Sequence, residues 1–374
     1  MNYLIIFLLV VLINFVKSGY LPPSPESPIS LSGISIKFPH ESTKELMTSN
    51  GLYIPKNIIP TRLQILDDNI YLALPRLKPG VPFTLGKVTT DKYNGKKEIS
   101  PFPDISYQQE GKDDNLQNVV DIVLDEQNII WALDTGVVNT RSKPPIRRSS
   151  PKIFAIDSNS EKIVRNIDLG NLATSHSLLQ YLEVDYASSG HPYIYISDAS
   201  NRAIIVYDVL NDRGTRVSLP KAVNLGSSID DMLFMNLIHQ TDGKGTLYFT
   251  YLSSSRMFRI DVDKLRSGVS KNAVEDVGPK NNKIVLLGRD HKNSIFFRNS
   301  GEHDVYKWNT ETPFNSDNFE LVQNGDEYRL PTHVTSDDGI MWSIDSNFID
   351  YVNNTVPCSG ASIAIHPLLK NCLY

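Results

Sequence analysis

The sequence predicts an all-β chain folded as a six-bladed β-propeller, and two observations carry that prediction. An aliphatic-aromatic pair opens a strand-like run six times: Ile70-Tyr71, Ile130-Trp131, Ile194-Tyr195, Leu247-Tyr248, Ile295-Phe296 and Met341-Trp342. Three residues before each aromatic stands Asp68, Asn128, Pro192, Gly245, Asn293 or Gly339, residue types that favour tight turns, so the unit is a turn followed by a strand. The aromatics lie 60, 64, 53, 48 and 46 residues apart, the range for four-stranded blades with variable loops. A β-sandwich has no repeat of about 50 residues, so radial repetition is preferred over it.

In chain order, residues 4–16 are apolar but for Asn14 and too few to span a bilayer, and Val16 and Ser18 are small residues suited to cleavage after Ser18. Residues 1–18 are therefore expected to be a signal peptide and the mature chain to be secreted. No later stretch reaches eighteen apolar residues, so no membrane partner is expected. Residues 19–32 contain Pro22, Pro23, Pro25 and Pro28, which cannot donate to a ladder and predict an extended tail. Residues 33–374 then form one propeller domain ending in a C-terminal tail. Within it residues 33–38 (GISIKF) alternate again; because little chain follows Trp342, they are expected to add a strand to the last blade and close the ring.

Between the aromatic anchors the pattern stays β: residues 152–157 (KIFAID), 203–209 (AIIVYDV), 257–262 (MFRIDV) and 283–287 (KIVLL) are short, rich in β-branched residues and bounded by turns. The one helical candidate is 228–239 (SIDDMLFMNLIH), where Met232, Met235, Leu237 and Ile238 fit a helical face loosely.

The net charge is −5, and it becomes −6 without residues 1–18 because Lys17 is the only charged side chain among them. That mild acidity argues against nucleic acid, whose binders cluster Lys and Arg. The basic stretch 141–148 (RSKPPIRR) is interleaved with Pro144 and Pro145 and reads as a solvated inter-strand loop; a docking site for an acidic partner and a protease-sensitive loop are the alternatives. The two cysteines, Cys358 and Cys372, are expected to pair in an oxidising compartment, where the chain-entropy model values so short a loop at roughly 3 kcal/mol; a free catalytic thiol is the other reading. No Cys-x-x-Cys occurs, which excludes cysteine-based zinc and thioredoxin chemistry. Asn353-Asn354-Thr355 is the only sequon, marking Asn353 for glycosylation in a secreted chain.

No Gly-x-Ser-x-Gly, His-Glu-x-x-His, P-loop or Gly-x-Gly-x-x-Gly motif is present, no cofactor is called for, and the histidines are scattered singly, with His176, His191 and His333 near strand starts or loops. The repeat offers a better site. Three residues beyond each aromatic stand Leu74, Asp134, Asp198, Tyr251, Asn299 and Asp345. If the six strands are equivalent, these positions share one level around the axis and make an acidic, partly aromatic cup. Such a cup suits a cationic aromatic amine through charge-assisted hydrogen bonds and stacking. The same oxygens suit calcium, and Asp and Asn also cap strand ends by accepting nearby backbone N–H groups; both readings stand beside the first.

Several stretches resemble the insect yellow and major royal jelly protein family. They are 62–88 (RLQILDDNIYLALPRLKPGVPFTLGKV), 120–136 (VDIVLDEQNIIWALDTG), 193–213 (YIYISDASNRAIIVYDVLNDR), 245–259 (GTLYFTYLSSSRMFR) and 339–344 (GIMWSI), with the likeness running in order from about Pro60 to the C-terminus. The most specific are Pro-Arg-x-Lys-Pro-Gly-Val-Pro at 75–82 and Trp-x-Leu-Asp-Thr-Gly at 131–136. The resemblance implies a secreted six-bladed propeller. It also implies one of the family's roles: abundant nutrient protein, cuticle pigmentation factor, dopachrome-converting enzyme, or salivary binder of serotonin and catecholamines. Gln127 stands where the family usually has a Cys, and the Cys residues that precede its third unit are missing, so the family's central disulfides are not expected here. In amine-binding members a Thr ahead of the last unit, and an Asn with a neighbouring aromatic after its Trp, contact the ligand. Thr332, Asn347 and Phe348 match them, with Asn347 one position later than usual.

Four functions follow as expectations. A binder would hold a small aromatic amine or catechol, with Asp345 or Asp198 pairing the ammonium and Phe348 or Tyr251 stacking the ring. A dopachrome tautomerase would need a general base, for which His333 and Asp134 are nominated. A nutrient or structural protein would need neither. A calcium-dependent lactonase follows from fold analogy alone.

Overall fold

The computed structural model describes residues 28–89, 97–142, 144–226, 228, 230–240 and 243–370. Six four-stranded antiparallel sheets dominate them. Their innermost strands are Arg62–Leu66, Val119–Leu124, Leu179–Tyr186, Leu233–His239, Ile284–Arg289 and Leu330–Asp337. Each packs against the innermost strand of the next blade, and the sixth returns to the first, so the ring is closed. The six-bladed propeller that the repeat predicts is the fold.

The repeat maps onto it strand for strand. Tyr71, Trp131, Tyr195, Tyr248, Phe296 and Trp342 each lie on the second strand of a different blade, and all are buried. Large aromatics fill the wedge between radially arranged sheets, and full burial of one such side chain contributes roughly 1.5–3 kcal/mol. Tyr71 meets Phe102 edge-on at 4.7 Å and Tyr248 meets Trp308 at 5.5 Å. The turns before these strands use the backbone freedom that the sequence signalled, with positive φ at Asn128 (61°), Asp338 (43°) and Gly339 (74°).

Two expectations are corrected. The helical candidate 228–239 contains the innermost strand of blade four, paired from Leu233↔Tyr251 to His239↔Gly245. Its residues from Leu233 to Ile238 are buried on both faces, and a run that is apolar but for Asn236 carries no period that separates strand from helix. The ring is closed by an N-terminal strand, but that strand is Ile29–Leu31, inside the stretch expected to be an extended tail. It pairs with Ile363–Lys370 at the outer edge of blade six, with Leu31 opposite Ile363. The alternating run after it forms a 3-10 turn at Gly33–Ser35 and a single parallel bridge, Ile36↔Ile99. Backbone packing explains why Gly33 must be small: a Cβ there would lie 1.9 Å from the Pro55 carbonyl oxygen.

The Pro-Arg-x-Lys-Pro-Gly-Val-Pro motif serves this architecture. The buried Arg76 guanidinium donates to the carbonyls of Val81, Pro82, Gln108, Leu116 and Gln117, tying blade one to the entry of blade two. Burial pulls its pKa down to about 10. Lys78 donates to the carbonyl of Tyr351 and to Asn354 Oδ1, and lies 4.0 Å from the Tyr351 ring centre, fastening the C-terminal segment. The signal-peptide expectation and Cys372 lie outside the described residues; Cys358 is exposed. The basic stretch carries a small hairpin, Val137–Val138 with Ile146–Arg147, and Arg148 pairs with Glu110. Among the described residues no helix is long and apolar enough to cross a membrane.

Candidate functional site

Antiparallel register places one residue of each innermost strand opposite the blade's aromatic: Gln64, Val123, Glu183, Asn236, Gly288 and Thr335. All six line an axial cavity of about 250 Å³. Ring symmetry therefore does converge equivalent positions on the axis, one strand further in than the positions singled out from the sequence.

At the deep end of the cavity Arg62 joins four blades. Its Nε donates to Asp121 Oδ1 at 3.1 Å, its Nη1 to the carbonyls of Thr61 (3.0 Å) and Thr332 (2.9 Å), and its guanidinium lies 5.0 Å from the Tyr181 ring centre. Asp121 also accepts from the backbone N–H of Leu182 at 2.8 Å. Burial raises the Asp121 pKa against the pull of Arg62. His333 accepts from the Leu63 N–H through Nδ1 at 3.4 Å, which assigns its proton to Nε2. Burial, with Arg62 adding to it, drives its pKa well below the ordinary value, so the ring is neutral.

Midway, Glu183 and Asn236 sit on neighbouring innermost strands. Asn236 Nδ2 is 3.4 Å from Glu183 Oε1, and Arg289 Nη2 is 3.6 Å from Glu183 Oε2. Burial raises the Glu183 pKa, Arg289 opposes it and Asp121 adds to it. Asn236 Oδ1 is buried with no hydrogen-bond partner, a state that costs about 1–3 kcal/mol unless something else donates to it. Met235, Ile65 and Leu286 give this level apolar wall. The opening is at the turns that join first and second strands, where Asp125, Glu126, Asp337 and Asp338 collect and Glu126 and Asp338 are exposed. Burial, then the charges of Asp338 and Asp67, raise the Asp337 pKa. Burial and Arg289 lower that of His291, which shares this end.

The residues singled out from the sequence sit elsewhere, and none of the eight lines this cavity. Asp134 accepts from the backbone N–H groups of Gln117, Asn118 and Gly136. Burial raises its pKa while these amides and Arg76 pull it down. Asp198 accepts from Ser177 Oγ, the Leu178 N–H and Asn201, and pairs with Arg216 at 3.2 Å. Tyr251 donates to the Ala199 carbonyl, and Asn299 to Glu302. Asp345 accepts from Ser343 Oγ and from His366 Nε2 at 3.0 Å. Asn347 precedes the helix Phe348–Asn353, accepting from the Ser362 N–H, and Phe348 stacks on Tyr351 at 6.1 Å. Thr332 Oγ1 donates to the Ile344 carbonyl at 3.3 Å. The acidic positions are thus engaged at the strand ends of their own blades. Of the two nominated bases, His333 lines the cavity and Asp134 does not. His191 stacks on Tyr193 and pairs with Asp208. No group of three or more His, Cys, Asp or Glu among the described residues is placed to hold a metal ion.

A closed six-bladed propeller with a polar axial pocket and an acidic opening is the class of protein that the fold and the cavity define. The family model described as major royal jelly protein matches residues 117–367, and the chain belongs to that family. Relatives include yellow-related salivary protein M10 of Phlebotomus duboscqi, 25% identical over 79% of this chain and 81% of its own length. Protein yellow of Drosophila melanogaster is 23% identical over 86% of this chain, which spans 64% of that protein. L-dopachrome tautomerase yellow-f of the same organism is 22% identical over 82% of this chain and 78% of its own length.

Proposed function

We propose that this is a secreted protein that binds a small aromatic amine or catechol in the axial cavity. The observation that carries the reading is the unpartnered acceptor Asn236 Oδ1 beside the Glu183 carboxylate, held together in a partly apolar pocket. An ammonium group supplies the donor that Asn236 Oδ1 lacks and a charge partner for Glu183, and charge-assisted bonds at a largely buried site are the strong kind. The carboxylates at the opening draw cations inward, and the apolar wall covers a ring. A volume of about 250 Å³ sits just below the range of drug-sized pockets and suits one compact aromatic ligand. The opposite rim, with Thr332, Asn347 and Phe348, is the alternative seat. The names of the relatives support the setting, one being a salivary protein and another acting on dopachrome.

Neutral His333 and a Glu183 carboxyl with raised pKa share the same cavity, an arrangement that favours a second reading, proton transfer in a dopachrome-type tautomerisation. Calorimetry with serotonin and dopamine, run beside an absorbance assay with dopachrome, separates the two. Heat without turnover supports the binder, turnover supports the tautomerase, and neither leaves a nutrient or structural protein. A Cys358–Cys372 disulfide and glycosylation at Asn353 belong to the same secreted reading. Thiol titration and mass analysis of the protein recovered from culture medium test them.

A further inference from the structure

The cavity also holds a cation with few partners. Arg62 and Arg298 spend guanidinium donors on backbone carbonyls, those of Thr61 and Thr332 for the first and of Pro331 and Asn299 for the second. Arg289 lines the cavity, and among the described residues its guanidinium makes one long contact, 3.6 Å to Glu183. Five N–H donors in a planar fork match a carboxylate better than any other small group.

The three side chains constrain one another. An ammonium seated between Glu183 and Asn236 Oδ1 competes with Arg289 for the one carboxylate that Arg289 contacts among the described residues. Arg289, its side chain 23% exposed, then shares its counter-ion with the ammonium, and a partly buried cation short of a counter-ion is disfavoured, so a simple amine gains at Glu183 part of what it loses at Arg289. A ligand that carries a carboxylate beside its ammonium replaces that counter-ion. Its carboxylate meets the Arg289 fork, its ammonium meets Glu183 and Asn236, and its ring meets the wall of Met235 and Leu286.

We propose that the cavity selects aromatic α-amino acids over the corresponding decarboxylated amines, with Arg289 reading the carboxylate and Asn236 and Glu183 reading the ammonium. This rests on the reading of the axial cavity as an amine site. The test is calorimetry with L-tyrosine, L-tryptophan, tyramine and tryptamine on the whole protein, with Arg289→Gln and Arg289→Lys as variants and a thermal melt confirming that each is folded. The expected result is that the amino acids bind at least tenfold more tightly than the amines. Arg289→Gln should remove that preference by weakening the amino acids alone, and Arg289→Lys should restore part of it. Equal affinity for amino acid and amine in the wild-type protein overturns this inference and leaves the amine site standing. So does an Arg289→Gln variant that weakens both ligand classes alike. No binding of any of the four overturns both.

Discussion

Asn236 and Glu183 face each other from adjacent innermost strands, Nδ2 to Oε1 3.4 Å, while the other end of the Asn236 amide is buried without a partner. A group kept in that state destabilises the empty protein. Asn236→Leu, close in size and free of polar atoms, removes the orphaned acceptor. The expected outcome is a folded protein as stable as wild type or up to about 1–3 kcal/mol more stable, whose amine affinity falls roughly tenfold, about 1.4 kcal/mol. Denaturant melts and calorimetry check it; a destabilised variant with unchanged affinity would make Asn236 a packing residue.

On the proposed reading of the cavity, Glu183 gives amine binding a pH dependence. Its pKa lies above the ordinary glutamate value because burial outweighs the pull of Arg289. The carboxylate must be ionised to pair with an ammonium, so amine affinity should fall as pH drops through that raised pKa, at a higher pH than an exposed glutamate would give. Glu183→Gln should bind the amine weakly and show a flat profile over the same window. A wild-type profile as flat as that of Glu183→Gln would remove Glu183 from the site.

The six aromatics on second strands were legible because turn chemistry and an aromatic recur at a nearly fixed offset. Their partners on the innermost strands were not. Gln64 and Thr335 lie 7 residues upstream of their aromatics but Glu183 and Asn236 lie 12, since the hairpins between first and second strands differ in length. No fixed offset aligns them, and only the ladder register does. Asp134 and Asp198 were conspicuous for a different reason: a carboxylate at a strand end collects backbone N–H groups, and that need recurs with the repeat whether or not a ligand is bound. The closing strand Ile29–Leu31 hid in a proline-rich stretch because an outer-edge strand of three residues needs few donors.

His366 and Asp345 make the last blade sensitive to pH. Burial lowers the His366 pKa, but the hydrogen bond and charge of Asp345 outweigh it, with Arg329 opposing, and the net shift is upward. A histidine whose folded pKa is raised contributes stability that is fully present below its unfolded pKa of about 6.5 and is lost as pH rises through the folded value. His366→Gln should therefore lower the melting temperature at pH 5.5 and have a smaller effect at pH 8.5. An equal loss at both values would mean that the imidazole serves only as packing between Ser343 and its neighbours on the strand.

Asp198 separates the rim from the cavity. Its carboxylate is fully buried, takes hydrogen bonds from Ser177, Leu178 and Asn201, and neutralises Arg216, while it is absent from the cavity lining. Asp198→Asn keeps the shape, removes the charge, and puts an NH₂ where one oxygen accepted hydrogen bonds. The cost should appear as stability, roughly 1–3 kcal/mol for hydrogen bonds to a charged group. Amine affinity, measured well below the melting temperature, should stay within about twofold, under 0.5 kcal/mol. Glu183→Gln in the same assay should do the reverse, weakening the amine while leaving the fold intact. If Asp198→Asn instead costs tenfold in amine affinity and Glu183→Gln costs nothing, the ligand sits at the strand-end rim with Thr332, Asn347 and Phe348, and the axial cavity is a structural void.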